Sequence, residues 1–295
     1  MFGPNTLTGF TYDMHFSHRS ENFKLLYKDV TKIFKLKFNL KNYDIIYVPG
    51  SGTTAMEVVI RSLSTPVSVI GEPGKFKERW KQLANHMLIN NKNGIPLYCE
   101  LETSKSKRNK HVKGGIVDAI SSFPYYPISP DTRVFVTSTN KQLGTFPGLA
   151  IIGVRKDSWH LFEQPNTSKL FSCMNINSYR EYAKRYQTPT TTPLQIFDQL
   201  NNFLQLFNLN NHILKINNNC KIIKNEIGRK NLIGDKCGPV LTIPKRCISL
   251  SLSNKYKLYN YNNSALNYQI FTYSNDSVYY EKFIEDLKND NFKRF

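Results

Sequence analysis

The sequence predicts an α/β fold in which a mostly parallel central sheet is flanked by helices and followed by a smaller α+β domain. Two observations carry this prediction. Short apolar runs bounded by Gly and Pro alternate with segments whose apolar residues recur at helical spacing, and this alternation stops in the last third of the chain. We place the boundary near 205–215, which divides the chain into a large domain, 1–210, and a small C-terminal domain, 211–295.

The first strand–helix unit lies in YDIIYVPGSGTTAMEVVIRSL, residues 43–63. The apolar run Ile45–Val48 predicts a strand that ends at Pro-Gly, and the apolar spacing after Thr53 predicts a helix. The next elements are predicted on the same grounds: a strand at Val67–Ile70, a helix from about Phe76, strands at Ile116–Ile120, in RVFVTSTNK and in GLAIIGV, and a helix after the last of these.

The character of the chain changes in the segment that begins NTSKLFSC, at residue 166. A Thr/Pro-rich turn, YQTPTTTP, precedes a long amphipathic helix predicted at 194–207. Beyond it, GPVLTIPKRCISLSL and VYYEKFIEDLKND predict short strands and a final helix, which together make up the small domain.

The composition is that of a globular protein with a large basic excess. The 295 residues include 40 Lys and Arg against 22 Asp and Glu, a formal charge of +18, which favours anionic partners such as nucleic acid. The densest basic cluster, KSKRNKHVKGG, lies at 105–115. No zinc-finger, RNA-recognition or basic-zipper pattern accompanies it, so nucleic-acid binding is not the expected main function. No apolar run is long enough for a transmembrane helix, and the N-terminus has no signal-peptide pattern.

The five cysteines are scattered along the chain, at positions 99, 173, 220, 237 and 247. Their odd number and the absence of a CxxC pair argue against a disulfide scaffold and against a zinc site, so no metal is expected. A reducing compartment, the cytoplasm, is the expected location.

Three segments that follow predicted strands carry candidate functional groups. GSGTT contains Ser51, Gly52 and Thr53, and its backbone N–H groups at a helix start can bind an anion. Asp118 follows a buried strand, where a carboxylate needs a cation or a strong donor, and Lys141 follows the next strand. Each segment also has an ordinary explanation: a capped helix, an Asp that caps a turn, and a surface lysine.

We expect the three segments to meet, because ligands of open α/β sheets bind where the strands end. A lysine that forms an imine, an acid that pairs with a pyridine nitrogen and a site for a phosphate together suit pyridoxal 5'-phosphate. That coenzyme is the predicted cofactor.

Several segments also match, in order, the motifs of a known family: FGP, FSHRSENF, GSGTTAMEVVI, GKFKERW, ELETS, VDAISSF, TSTNKQLGTFPGLA and YQTPTTTP. The chain resembles the class V group of fold-type-I pyridoxal-phosphate enzymes. These are small aminotransferases that include the alanine–glyoxylate, serine–pyruvate and 2-aminoethylphosphonate–pyruvate enzymes. The resemblance covers about residues 2–205 and implies a fold-type-I transferase that acts as a homodimer.

The resemblance implies a role for each matching residue. Lys141 would hold the coenzyme as a Schiff base and move the proton, and Asp118 would keep the pyridine nitrogen protonated. Phe76 would stack on the ring, although an ordinary core aromatic is the alternative. The remaining implied positions are Ser51, Gly52 and Thr53 at the phosphate, Thr103 or Ser104 near the ring hydroxyl, Ser138 in the segment of the lysine, and Thr190 or Thr191, which would reach the phosphate in the partner subunit. The alternative for the Thr/Pro turn is a simple helix entry.

The sequence departs from the family in two places. Few residues separate GKFKERW from VDAISSF, and the basic loop 105–113 replaces a glycine-bearing loop. The family also has a C-terminal arginine that binds the substrate carboxylate, and Gln269 in LNYQIFTYS stands in its place. Either another cation binds the substrate, with Arg19 and Arg246 as candidates, or the substrate has no such carboxylate.

The expected function is that of an aminotransferase that moves an amino group from a small donor to a keto acid such as pyruvate or glyoxylate. The basic excess favours an anionic donor, for example an aminophosphonate. One alternative is a lyase or desulfurase on the same scaffold, for which Cys237 is the candidate cysteine. The other is a family member that has lost catalysis and acts as a basic binding protein.

Overall fold

The computed structural model describes residues 17–163, 173–260 and 266–290. The FGP segment of the family resemblance lies outside the described residues. The strands and helices that the structure contains agree with the α/β prediction.

A six-stranded sheet forms the centre of the molecule. In chain order the strands of the protein are β1 (Tyr43–Gly50), β2 (Val67–Val69), β3 (Ile95–Cys99), β4 (Leu101–Glu102), β5 (Lys107–Arg108), β6 (Ile116–Asp118), β7 (Val134–Ser138), β8 (Gly148–Arg155), β9 (Val240–Pro244) and β10 (Asn267–Phe271). The central sheet has the spatial order β1-β8-β7-β6-β3-β2, while β4 pairs with β5 and β9 with β10.

Only β8 runs against the other strands of the central sheet. The pairs β2–β3, β3–β6 and β6–β7 are parallel, and β8 is antiparallel to both β7 and β1. The connection between β7 and β8, residues 139–147, is too short for a crossover helix, so β8 returns as a hairpin partner. Because β1, β6 and β7 point the same way, their carboxyl ends lie at one edge of the sheet. The predicted mostly parallel sheet is confirmed.

Helices cover both faces of this sheet. They are α1 (Glu21–Lys37), α2 (Gly52–Ser62), α3 (Lys75–His86), α4 (Ile176–Ala183), α5 (Leu194–Leu206), α6 (Leu209–Ile227), α7 (Leu250–Lys255) and α8 (Ser277–Asn289). The helices predicted after Thr53, from about Phe76 and at 194–207 are α2, α3 and α5. The segment after β8 is a 3₁₀ helix, Lys156–Phe162, and the strand predicted at 116–120 ends at Asp118.

Three buried clusters hold these elements together. Val59 of α2 and Trp80 of α3 pack on one face of the central sheet, and Phe23 of α1 and Phe197 of α5 pack on the other. A third cluster joins α6 and α8 to β9 and β10, and it also includes Leu101 of β4. The predicted division into domains at 210/211 remains a prediction. None of the described helices has the length and apolar character needed to cross a bilayer.

Candidate active site

The carboxyl ends of β1, β6 and β7 open onto a cavity of about 270 Å³. β1 ends at Gly50 before α2, β6 ends at Asp118, and β7 ends three residues before Lys141. The predicted site residues that line the cavity are Ser51, Gly52, Thr53, Phe76, Thr103, Asp118, Ser138 and Lys141. The sheet therefore brings together groups that are up to 90 positions apart in the chain (Ser51 to Lys141).

The N-terminus of α2 forms one wall of the cavity. Ser51 accepts a hydrogen bond from the Thr54 N–H at 3.1 Å, and the Thr54 hydroxyl accepts one from the Ser51 N–H at 3.3 Å, which makes a capping box. The N–H groups of Gly52 and Thr53 lie in the first turn, where a helix provides no partner for them. A side chain at position 52 would place its Cβ 2.7 Å from Ile120 Cδ1, so glycine lets α2 approach the end of β6 closely. The segment is thus both a capped helix and a suitable anion site.

Asp118 is buried in the cavity wall, and both of its oxygens have donors. Oδ2 accepts the Trp80 Nε1–H at 2.8 Å, and Oδ1 accepts the Ile120 N–H at 3.1 Å. Burial raises the pKa of Asp118 to about 6, against the opposing effect of these two hydrogen bonds. Trp80 lies on α3, and nothing in the sequence indicated that it would contact Asp118.

Lys141 lies on the cavity wall and is largely enclosed by neighbouring residues. Burial lowers the pKa of its amine to about 8, and the negative charge of Asp118 acts in the opposite direction. Its Nζ lies 5.5 Å from the centroid of the Phe271 ring on β10. A surface lysine would not have such surroundings, so the ordinary explanation of this residue loses its support.

The start of α3 is held by Glu102, a fully buried carboxylate in β4. Glu102 Oε2 accepts the N–H groups of Phe76 and Lys77, both at 3.1 Å, which fits the preference of helix N-termini for negative charge. Ser104 donates its hydroxyl to Glu102 and accepts the Lys75 N–H at 3.2 Å. Ser104 therefore belongs to the cap of α3 and does not line the described cavity wall, whereas Thr103 does.

Two basic residues of α3, Lys75 and Arg79, line the cavity. Arg79 Nη1 donates to the Thr53 hydroxyl at 3.2 Å, and its guanidinium lies 5.9 Å from the Phe76 ring. Both side chains are exposed at the mouth. These two cations are placed where they could bind an anion inside the cavity. From the sequence, Arg19 and Arg246 were the candidate cations for the substrate.

The predicted substrate residues do not line the described cavity wall. Arg19 is exposed and donates to Gln187 Oε1 at 3.3 Å and to the Pro189 carbonyl at 3.2 Å. Arg246 is exposed in a short 3₁₀ helix. Gln269 is 1% exposed in β10, and its N–H donates to the carbonyl of Tyr259, which does line the cavity. The contact of Gln269 with a substrate stays a prediction.

Thr190 and Thr191 also lie away from the described wall of this cavity. The Thr190 carbonyl accepts the Thr188 hydroxyl at 2.8 Å. Since Arg19 contacts the same turn at Pro189, the N-terminal segment and the Thr/Pro turn form one surface patch. The role predicted for this turn concerns a partner subunit and stays a prediction.

The cysteine that faces the cavity is Cys99 of β3, and Cys237 is not part of its described wall. The Cys99 thiol donates to the Leu101 carbonyl at 3.1 Å, and burial raises its pKa well above the usual value. It is therefore a neutral thiol at physiological pH and a poor nucleophile.

Two curated proteins are similar to the chain in sequence. No family model matches the chain. The small subunit of a soluble hydrogenase from Synechococcus sp. is 25% identical, and an uncharacterized aminotransferase from Methanocaldococcus jannaschii is 24% identical. Each match extends over 64% of this chain and 59% of the relative, so the chain matches less than two thirds of these relatives.

The solved structures extend the likeness to nearly the whole chain. A phosphoserine aminotransferase from Cytophaga hutchinsonii superposes with a TM-score of 0.79 at 18% identity, over 94% of this chain and 91% of the other. The chain has the fold of the phosphoserine aminotransferases. A second enzyme of that name, from Trichomonas vaginalis with PLP bound, has a TM-score of 0.71 at 13% identity over 93% and 90% of the two chains. The resemblance to fold-type-I aminotransferases is confirmed at the level of the fold.

Proposed function

We propose that this protein is a pyridoxal-phosphate-dependent aminotransferase. The observation that carries the proposal is that Lys141 and Asp118 line the same cavity. The pKa of the amine is lowered to about 8, and that of the acid is raised to about 6. Perturbed groups of this kind gather at catalytic sites. The fold shared with known aminotransferases supports the same conclusion.

The residues of the cavity fit the coenzyme. The N-terminus of α2 at Gly52 and Thr53 suits its phosphate, and Asp118 suits its pyridine nitrogen. Phe76 suits the ring face and Lys141 the aldehyde carbon. When bound, the coenzyme supplies an electron sink for cleavage of a bond at the substrate Cα.

The residues of the chain would then move one proton and control its surroundings. The amine of Lys141 is about half neutral near pH 8. It would take the proton from the substrate Cα and deliver it to the coenzyme carbon. Trp80 and the Ile120 N–H hold the Asp118 carboxylate in one orientation. Phe271 and Tyr259, from the C-terminal part of the chain, limit the access of water to the amine.

We further propose that the amino donor is a small anion and that the acceptor is a keto acid such as pyruvate or glyoxylate. Arg79 and Lys75 support the anionic donor, since they bring positive charge to the mouth of the cavity. Gln269 has no charge to bind a carboxylate. Arg79 is our candidate for the missing cation, in place of Arg19 and Arg246.

A homodimer and a cytoplasmic location remain parts of this proposal. The patch formed by Arg19 and the Thr/Pro turn at 187–191 would face the partner's cavity, with Thr190 or Thr191 near its phosphate. The free thiols of the cysteines suit a reducing compartment.

The desulfurase alternative loses support, because the cysteine on the cavity is a buried neutral thiol and Cys237 lies elsewhere. A binding protein without catalysis is opposed by the perturbed pKa of Lys141.

The test is an amino-transfer assay. The purified protein, loaded with pyridoxal phosphate, is incubated with pyruvate or glyoxylate and a panel of amino donors with and without a second anionic group. We expect alanine or glycine to form with at least one anionic donor. Coenzyme binding without amino transfer to either keto acid by any donor would contradict the proposal.

A further inference from the structure

Cys220 and Cys237 lie next to each other, outside the described wall of the cavity. Cys220 is on α6, and Cys237 is in the turn that leads to β9. The Cys220 sulfur accepts the Gly238 N–H at 3.2 Å, and its S–H donates to the Gly238 carbonyl at 3.2 Å. Gly238 directly follows Cys237, so these contacts hold the backbone of Cys237 against Cys220, and each thiol shifts the pKa of the other.

The two thiols have different surroundings. Cys237 is exposed, whereas Cys220 is 1% exposed. The neighbouring Cys220 thiol lowers the pKa of Cys237 to about 6, against the effect of partial burial, and Tyr125 and Lys224 add to the lowering. The neighbouring Cys237 thiol and burial raise the pKa of Cys220. An accessible thiolate beside a buried thiol is the arrangement of an attacking and a resolving cysteine.

We infer that Cys220 and Cys237 form a dithiol site that reacts with small-molecule disulfides. The Cys237 thiolate attacks one sulfur of the disulfide, so that its S–S bond breaks, a mixed disulfide forms on Cys237 and one thiolate leaves. Cys220 then loses its proton to the departed thiolate and attacks the Cys237 sulfur. The products are a Cys220–Cys237 disulfide and two molecules of the small thiol, so the protein loses two electrons and the small disulfide gains them.

The turn that carries Cys237 is also bound to the basic loop 105–113. The Asp235 N–H donates to the Ser106 carbonyl at 2.7 Å, and Asp235 Oδ2 accepts the Arg108 N–H at 2.7 Å. A disulfide would tie this turn covalently to α6. It closes a short loop, which restricts the unfolded chain, and we expect the oxidised protein to melt about 5 °C higher.

The experiment uses the full chain, reduced, freed of reductant and treated with 2-hydroxyethyl disulfide at pH 7.5. Unreacted thiols are alkylated, and the protein is digested for mass spectrometry. We expect a cross-linked peptide that joins Cys220 to Cys237 and is lighter by about two mass units than the sum of its parts. Cys173, the other exposed cysteine, serves as the internal control and should react more slowly.

Two variants separate the steps. Cys220→Ser should stop at a mixed disulfide on Cys237, and Cys237→Ser, a change at an exposed position, should leave Cys220 unmodified. Cys173→Ser should react as the unaltered protein does. The inference is overturned if the unaltered protein accumulates the mixed disulfide without the cross-link, or if Cys237 reacts no faster than Cys173. The outcome does not depend on amino-transfer activity, so it is separate from the test of the proposed function.

Discussion

The carboxyl edge of the central sheet and the C-terminal strand pair β9–β10 bury polar groups in different ways. At the sheet edge, both oxygens of Asp118 and both of Glu102 accept hydrogen bonds. In β10, Gln269 is just as deeply buried, yet its Oε1 accepts no hydrogen bond from any residue that the structure describes. The sheet edge therefore buries carboxyl groups that have hydrogen-bond donors. In contrast, β10 buries a neutral amide where relatives are expected to have an arginine.

This contrast indicates that the residues that would bind the coenzyme and those that would select the substrate come from different parts of the chain. The groups that suit the coenzyme come from the ends of strands in one sheet, which fixes their positions relative to one another. The C-terminal region contributes Tyr259 and Phe271, which are apolar neighbours of the cavity and of Lys141. On the proposed function, α3 supplies the positive charge for the substrate and the C-terminal strands do not.

The largest expected effect is that of Asp118→Asn on turnover. The variant loses the charge that would keep the pyridine nitrogen protonated, and kcat should fall about 100- to 10,000-fold. Turnover is measured with saturating coenzyme so that weaker binding does not contribute. A loss of less than tenfold would mean that Asp118 serves only to shape the end of β6.

Arg79→Gln tests whether α3 meets the substrate anion. Loss of a hydrogen bond to a charged group costs about 1.5–3 kcal/mol, so KM for the anionic donor should rise about 10- to 100-fold. Arg246→Gln removes an exposed arginine that is not on the described cavity wall and should leave KM unchanged. A rise in KM for Arg246→Gln without one for Arg79→Gln would instead place the substrate anion near the C-terminal region.

The stability of the coenzyme-free protein should also respond to Asp118. Because the folded pKa, about 6, lies above the unfolded value, the ionised carboxylate destabilises the fold. This cost is absent below about pH 4, grows between pH 4 and 6 and is complete above. Between pH 4 and pH 8 the stability of the unaltered protein should therefore fall by about 2 kcal/mol relative to Asp118→Asn, on top of a pH-independent cost of the amide, whose NH2 faces one of the two N–H donors. Urea denaturation at both values measures this difference, and a constant difference at both would contradict the assigned cause.

Trp80→Phe is expected to have the smallest effect, a loss of about tenfold in kcat, because it removes one donor from a carboxylate that keeps another. The control is Trp159→Phe, since Trp159 Nε1 donates to Asp44 Oδ2 at the same distance of 2.8 Å, outside the cavity. Both variants should lose stability, but only Trp80→Phe should lower kcat. Equal kinetic effects would show that Trp80 acts through stability alone.

The part of the site that could be predicted from the sequence consists of residues that directly follow strands. Asp118, Lys141 and the turn at Ser51–Thr53 stand where an apolar run ends, and parallel strands place such positions on one edge. Trp80 and Arg79 could not be predicted in this way. Their contacts depend on how far α3 is rotated over the sheet, which Glu102 and Gly74 determine: a Cβ at position 74 would lie 2.1 Å from Glu102 Cγ.

The fold was predictable to a similar degree. Five of the six strands of the central sheet were recognised, and β3, α1 and α6 were missed. The sequence of α6, LNNHILKINNNCKIIKNEI, is rich in Asn, which is a weak helix former. Its buried face, including Ile216, Cys220 and Ile223, packs in the C-terminal cluster, so tertiary packing outweighs local propensity.

The central claim is that the amine of Lys141 is the group that holds pyridoxal phosphate. The direct measurement is to add one equivalent of the coenzyme, reduce with borohydride, and locate the pyridoxyl group by peptide mass spectrometry. Labelling at Lys141 should increase as the pH rises through about 8, because the pKa of its amine is lowered to that value and only the neutral amine reacts. The account predicts the label on Lys141 and its loss in Lys141→Ala. A label on a different lysine, with amino transfer retained in Lys141→Ala, would contradict it.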